Sequence, residues 1–196
     1  MTTQALYGIA GRRLAAALGL VVCAFIPSTA SLAAASFIIE DASIGVREGS
    51  YRLDARIDYR FNDTALEALR NGVPLTVEVR VEVYRLRPVL WDERVTHLRL
   101  RHQLRYRALS QLYQVIDLDK RSQRNFASIT AALQALGTLR NLPVMEAGTL
   151  APGEQFYVRL RADLDIEALP LPLRPLAYVS PSWHLESEWY RWQPGS

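Results

Sequence analysis

Polar and apolar residues alternate one for one along much of this chain. Over residues 51–61 the odd positions are Tyr, Leu, Ala, Ile, Tyr and Phe, and the even ones are Arg, Asp, Arg, Asp and Arg. A repeat of two sends successive side chains to opposite faces of a strand, so one face meets a core and the other meets water. Leu75, Val77, Val79, Val81 and Val83 alternate in the same way with Thr76, Glu78, Arg80 and Glu82. Phe156, Val158, Leu160, Ala162 and Leu164 alternate with Tyr157, Arg159, Arg161 and Asp163. Leu98, Leu100, Leu104 and Tyr106 share a face with His102, opposite Arg99, Arg101, Arg105 and Arg107. Residues 38–46, 111–118 and 184–192 predict further, less regular strands. Strands covered on both faces would read as continuous apolar runs, so the one-sided alternation predicts antiparallel sheets.

Two short helices are expected between the strands. Thr64 and Glu67 have the spacing of a capping box, which starts a helix at Thr64, and Asn71-Gly72 offers a left-handed exit. A second helix is expected over 128–140, with Ile129, Leu133, Leu136 and Leu139 on one stripe. Between residues 169 and 176 leucine and proline nearly alternate. Proline removes a backbone donor, so this run predicts an extended, polyproline-like connection lying on the core. The fold class is therefore mainly β: an antiparallel, β-sandwich-like domain with two short helices, with α+β as the alternative.

The first 35 residues follow a different pattern. Arg12 and Arg13 precede an apolar run over 14–26, then Pro27 and small residues ending in Ala33-Ala34-Ala35. This is the layout of a secretory signal peptide. The run is well short of the ~20 residues a membrane span needs. The expected organisation is a signal over 1–35 and one β-rich domain over 36–196, located in the periplasm. The alternative is an uncleaved signal anchored in the inner membrane. Cys23 follows Val22 rather than the small residue that lipid attachment wants.

Cleavage would change the charge. The full chain carries 23 Lys and Arg against 20 Asp and Glu, and two of those arginines lie in the signal. The remaining domain is nearly neutral overall, which argues against a nucleic-acid partner. Its only cysteine would leave with the signal, so neither a disulfide nor a thiol nucleophile is expected.

Little in the remainder carries recognisable chemistry. His97 and His102 are five apart in a strand and fall on opposite faces unless a bulge near Val95 intervenes. No catalytic, metal-ligating or cofactor-binding motif stands out, and no cofactor is expected. Arg99, Arg101, Arg105 and Arg107 form a candidate anion contact. Glu78 and Glu82 on the neighbouring strand are the expected neutralising partners. Near the C-terminus, Leu185, Ser187 and Trp189 are expected to face the core. Tyr190 and Trp192, with Tyr178 and Trp183, form a candidate partner contact. The competing role for Tyr190 and Trp192 is to shield a sheet edge.

Residues 68–75, Trp91-Asp92-Glu93, residues 169–178 and Ser187-Glu188-Trp189-Tyr190 resemble an exported proteobacterial family, domain of unknown function 4390. The resemblance implies no activity, cofactor or catalytic residue. It implies a gene neighbourhood that often includes a nitrogen-regulation-type membrane sensor kinase. The functional expectation is a non-enzymatic periplasmic interaction module with an envelope or sensor-kinase protein partner. The alternatives are an envelope hydrolase, which a pocket gathering His102 or His184 with carboxylates would favour, and an anion- or lipid-binding module. Oligomeric state is left open by the sequence.

Overall fold

The computed structural model describes residues 37–194, so the expected signal peptide lies outside the described residues. The described elements, in chain order, are β1 (Ile38–Arg47), β2 (Ser50–Asp58), α1 (Asp63–Arg70), β3 (Leu75–Arg85), β4 (Glu93–Arg107), β5 (Leu112–Asp117), β6 (Ser122–Phe126), α2 (Ile129–Leu136), β7 (Thr138–Glu146), β8 (Phe156–Leu164), α3 (Arg174–Val179) and β9 (Tyr190–Trp192). They build two antiparallel sheets, one ordered β1-β2-β7 and the other β6-β5-β4-β3-β8-β9. The fold is mainly β and sandwich-like, as the alternation predicts. Val77, Val79, Val81 and Val83 are fully buried, and Leu53, Ile57 and Leu160 join them in one core cluster. Among the described residues no helix is long and apolar enough to cross a membrane.

Several local expectations are corrected. The first helix is capped by Asn62, not Thr64: the Ala65 amide donates to Asn62 Oδ1 at 2.9 Å. An asparagine two residues upstream can reach the third helical amide, which leaves Thr64 inside the first turn. The exit is as predicted, with Gly72 at a φ of 88°. The second helix starts after Ser128 but stops at Leu136, and residues from Thr138 become β7. Gly137 at the junction allows a close approach to β2. A Cβ there would lie 1.9 Å from the Ile57 carbonyl oxygen, and the Ile57 amide donates to the Gly137 carbonyl at 2.8 Å.

The leucine–proline run is not extended. Leu171–Leu173 forms a 3-10 turn and Arg174–Val179 a third short α-helix. Pro172 and Pro175 sit in first turns, where a missing N–H breaks no helical hydrogen bond. Nor does the run lie on the core as a whole: Leu169 and Ala177 are buried, while Leu171, Leu176, Tyr178 and Val179 are exposed.

Candidate functional site

The outer face of the six-stranded sheet carries most of the charge predicted for solvent. Its composition follows from register. Arg80 on β3 pairs with Arg99 on β4 and Arg161 on β8, which places three guanidinium-bearing residues in one cross-strand row. Like charges directly opposite one another are unfavourable, so each side chain turns diagonally to find a carboxylate. Arg80 reaches Asp163, and Arg161 reaches Glu186. Arg159 Nε donates to Glu82 Oε2 at 2.6 Å, and its Nη2 donates to the Tyr84 hydroxyl at 2.9 Å. Glu82 is only 6 % exposed even on this outer face. Burial alone would raise its pKa, but hydrogen bonds from Arg159 and Tyr84 outweigh that and hold the carboxyl below the usual range.

Aromatic rings complete this half of the face. Tyr84 and Tyr157 stack at 5.2 Å, and the Arg191 guanidinium lies 3.6 Å from the centre of the Tyr157 ring. Trp189 lies beside Arg159, Arg80 and Arg161, at 4.3, 5.8 and 5.9 Å. The predicted core position of Trp189 is thus corrected. Glu186 bridges Asp163, whereas Tyr190 pairs with Leu160 and Trp192 with Val158, so the register slips by one residue in between. Leu185 and Ser187 face inward before the slip. After it Trp189 faces outward, and Tyr190 and Trp192 turn in to pack, half-buried, against the core.

The four candidate aromatics do not converge. Trp183 is 3 % exposed, because the 3-10 turn Pro181–Trp183 tucks it inward and Asn62 Nδ2 ties that turn down at the Ser182 carbonyl, 2.6 Å away. Its expected place in a partner-facing patch is therefore corrected. Tyr178 is exposed on α3, beside the exposed Leu171, Leu176 and Val179.

The β4 arginines do lie on the outer face, but their expected neutralisation is largely missing. Glu82 is taken by Arg159 and Arg94, and Glu78 lies 3.7 Å from Arg80. Arg99 reaches Glu78 only at 4.0 Å. Among the described residues, the guanidinium groups of Arg101, Arg105 and Arg107 have no carboxylate within 4 Å, although the Arg101 backbone amide donates to Asp119 Oδ2 at 2.9 Å; Arg105 Nε instead donates to Gln103 Oε1. The sheet face therefore has a closed half over β3, β8 and β9, and an open cationic half along β4.

The histidines separate as the alternation requires. The bulge is at Val95, upstream of both, so His97 faces outward beside Arg99 and His102 faces inward. The inward-facing His102 is only partly satisfied. Its Nε2 lies 3.7 Å from Asp117 Oδ2, and its Nδ1 is buried without a partner. Burial pushes the imidazole pKa down, against the opposing pull of Asp117 and Asp119. His102 and Asp117 line an open cleft on the inner side of the sheet. Thr138 supplies the hydroxyl lining that cleft, and it donates to the Gln134 carbonyl at 2.7 Å. His184 is exposed, with Nδ1 3.1 Å from the Ser180 carbonyl. Among the described residues, no group of three or more His, Cys, Asp or Glu is placed to hold a metal ion.

A family model described as a domain of unknown function, DUF4390, matches residues 34–193. No curated protein and no solved structure matches the chain.

Proposed function

We propose, for a chain that belongs to the DUF4390 family, that it is an exported, periplasmic, non-enzymatic interaction module that docks an acidic envelope partner on the outer face of β4. The observation that carries this reading is the set of β4 arginines without carboxylate partners. Arginine held in a flat row presents rigid forked donors suited to carboxylates on another protein. Desolvating three unpaired guanidiniums is costly unless the partner brings the opposite charge, so the row also selects against neutral and basic surfaces. The sensor-kinase neighbourhood implied by the family resemblance favours a membrane sensor kinase as that partner. A second contact fits the same reading: Leu171, Leu176, Tyr178 and Val179 expose apolar area on and beside α3, and Tyr is enriched at interface anchors.

The hydrolase alternative is less well supported. His102 does meet a carboxylate in a cleft, but the Thr138 hydroxyl there is engaged by the helix, and the imidazole nitrogen facing away from Asp117 is enclosed. The test is a crosslinking pull-down from the native envelope with wild type and the double variant Arg105→Glu/Arg107→Glu. These two positions face Gln114 and Leu112 on β5, so reversal creates no new like-charge pair within the sheet. The expected result is loss of the captured partner at an unchanged melting temperature. Equal capture by both proteins overturns the reading.

A further inference from the structure

The six-stranded sheet is wider than the three-stranded sheet laid over it. β7 lies over β4 and β1 over β8, so the inner face of β5 and β6 runs out beyond the smaller sheet's edge. α2 covers only part of that overhang. Between α2, β7 and the overhang is the cleft that holds His102 and Asp117, with a volume of about 690 Å³. Cavities of roughly 300–1,000 Å³ are the size that takes small molecules.

The lining has two chemical parts. Leu100, Phe126 and Leu142 remain only partly buried and give apolar walls. Lys120, Arg124 and Arg140 bring three cations, against Asp117 as the carboxylate of the lining. Asp117 already lies 3.8 Å from Lys120 and 3.7 Å from His102. Arg124 donates to the Ala135 carbonyl near the end of α2 at 3.3 Å and lies over the Phe126 ring at 5.7 Å. Among the described residues, neither the Arg124 nor the Arg140 guanidinium has a carboxylate within 4 Å, although Arg140 also borders Asp54 on the smaller sheet and its charge reaches that carboxyl at longer range. An inward charge on β6 would protect that sheet edge from pairing with another chain. Edge protection does not call for half-exposed leucines and a phenyl ring beside it.

We propose that this cleft binds a small amphiphilic anion: an apolar body seated on Leu100, Phe126 and Leu142, and one carboxylate head held by Arg124 and Arg140. The body covers apolar surface that the fold leaves half-exposed, and the head supplies the direct carboxylate partner that neither guanidinium has. The site is on the opposite side of the sheet from the β4 arginine row and does not depend on it.

The test is calorimetric titration of the purified full chain with octanoate, with acetate and 1-octanol as the head without the body and the body without the head. Octanoate is expected to bind saturably at one site and to shift the His102 imidazole resonances, while acetate and octanol at the same concentration do neither. Arg124→Gln and Arg140→Gln are each expected to weaken octanoate about tenfold or more, the loss of one charged hydrogen-bonding partner. Arg140 is exposed on β7, so its variant tests the site even if Arg124→Gln disturbs α2. Arg107→Glu, on the outer face, is expected to leave octanoate binding unchanged. The proposal is overturned by absent octanoate binding, by equal binding of octanol, or by wild-type affinity in both glutamine variants.

Discussion

The guanidinium carbon of Arg159 lies 4.3 Å from the centre of the Trp189 ring, on the outer face of the six-stranded sheet. A cation above an indole face contributes about 1–2 kcal/mol when partly shielded from water. Trp189→Ala is therefore expected to cost about that much. Trp183→Ala, which empties a core position, is expected to cost about 3–5 kcal/mol. Urea unfolding of the two variants compares them directly. Equal losses would return Trp189 to the core and remove the one-residue slip before β9.

Asn62 has two roles in one side chain. Its Oδ1 caps α1, and its Nδ2 holds the Ser182 carbonyl across 120 residues of sequence. Asn62→Ala is expected to lose about 1 kcal/mol for the cap and about 1 more for the second hydrogen bond. Thr64→Ala, at an exposed position inside the first turn, is expected to change stability by less than about 0.5 kcal/mol. Chemical denaturation of both variants assigns the cap, and a larger loss at Thr64 would reinstate the capping box.

The strands that could be read from the sequence are those with unlike surroundings on their two faces. β3 and β8 have the core on one side and the arginine lattice on the other, so their alternation is strict. β6 reads Ser-Gln-Arg-Asn-Phe and β7 contains Pro143; both are edge strands, where apolar contrast is weak and proline is tolerated. In the C-terminal segment the residue types were informative but their phase was not, because one extra residue exchanges inside for outside. The arginine row on β4 was legible for the same reason as β3. Its lack of partners was not, since Glu82 is claimed by Arg159 from 77 positions away. The cleft at His102 depends on one sheet being wider than the other, a property of topology that local pattern does not carry.

Gly137 is required by space rather than by backbone angle. Its φ is −82°, which any residue adopts, but a Cβ would meet the Ile57 carbonyl at 1.9 Å. Gly137→Ala is expected to cost about 1–3 kcal/mol, as overpacking does, because the obstacle is backbone in the adjoining strand. Gly45→Ala meets nothing within 4 Å. It is expected to be neutral or to stabilise by about 0.5 kcal/mol, by restricting the unfolded chain. Thermal melts of the pair distinguish a steric requirement from a general intolerance of alanine in this sheet.

The last prediction concerns acid. Burial holds the His102 imidazole below its ordinary pKa of 6.5, with Lys120 and Arg124 adding to the effect and Asp117 and Asp119 opposing it. The unfolded chain therefore takes up a proton near pH 6.5, while the folded chain resists until lower pH. In that window the unfolded state binds more protons, so acidification favours it. Stability is expected to be full above pH 6.5 and to fall as pH drops through the depressed value, by at most about 1.4 kcal/mol per pH unit for one proton. Glu82 and Asp54, held below the usual carboxyl range, contribute losses only at more acidic pH. Urea unfolding at pH 7.5, 6.5, 5.5 and 5 is expected to show wild type losing more stability than His102→Gln. Were the Asp117 attraction stronger than burial, the sign would reverse and wild type would gain stability on the same descent. Parallel curves, or that gain, would show that His102 is not held neutral by enclosure beside the cleft.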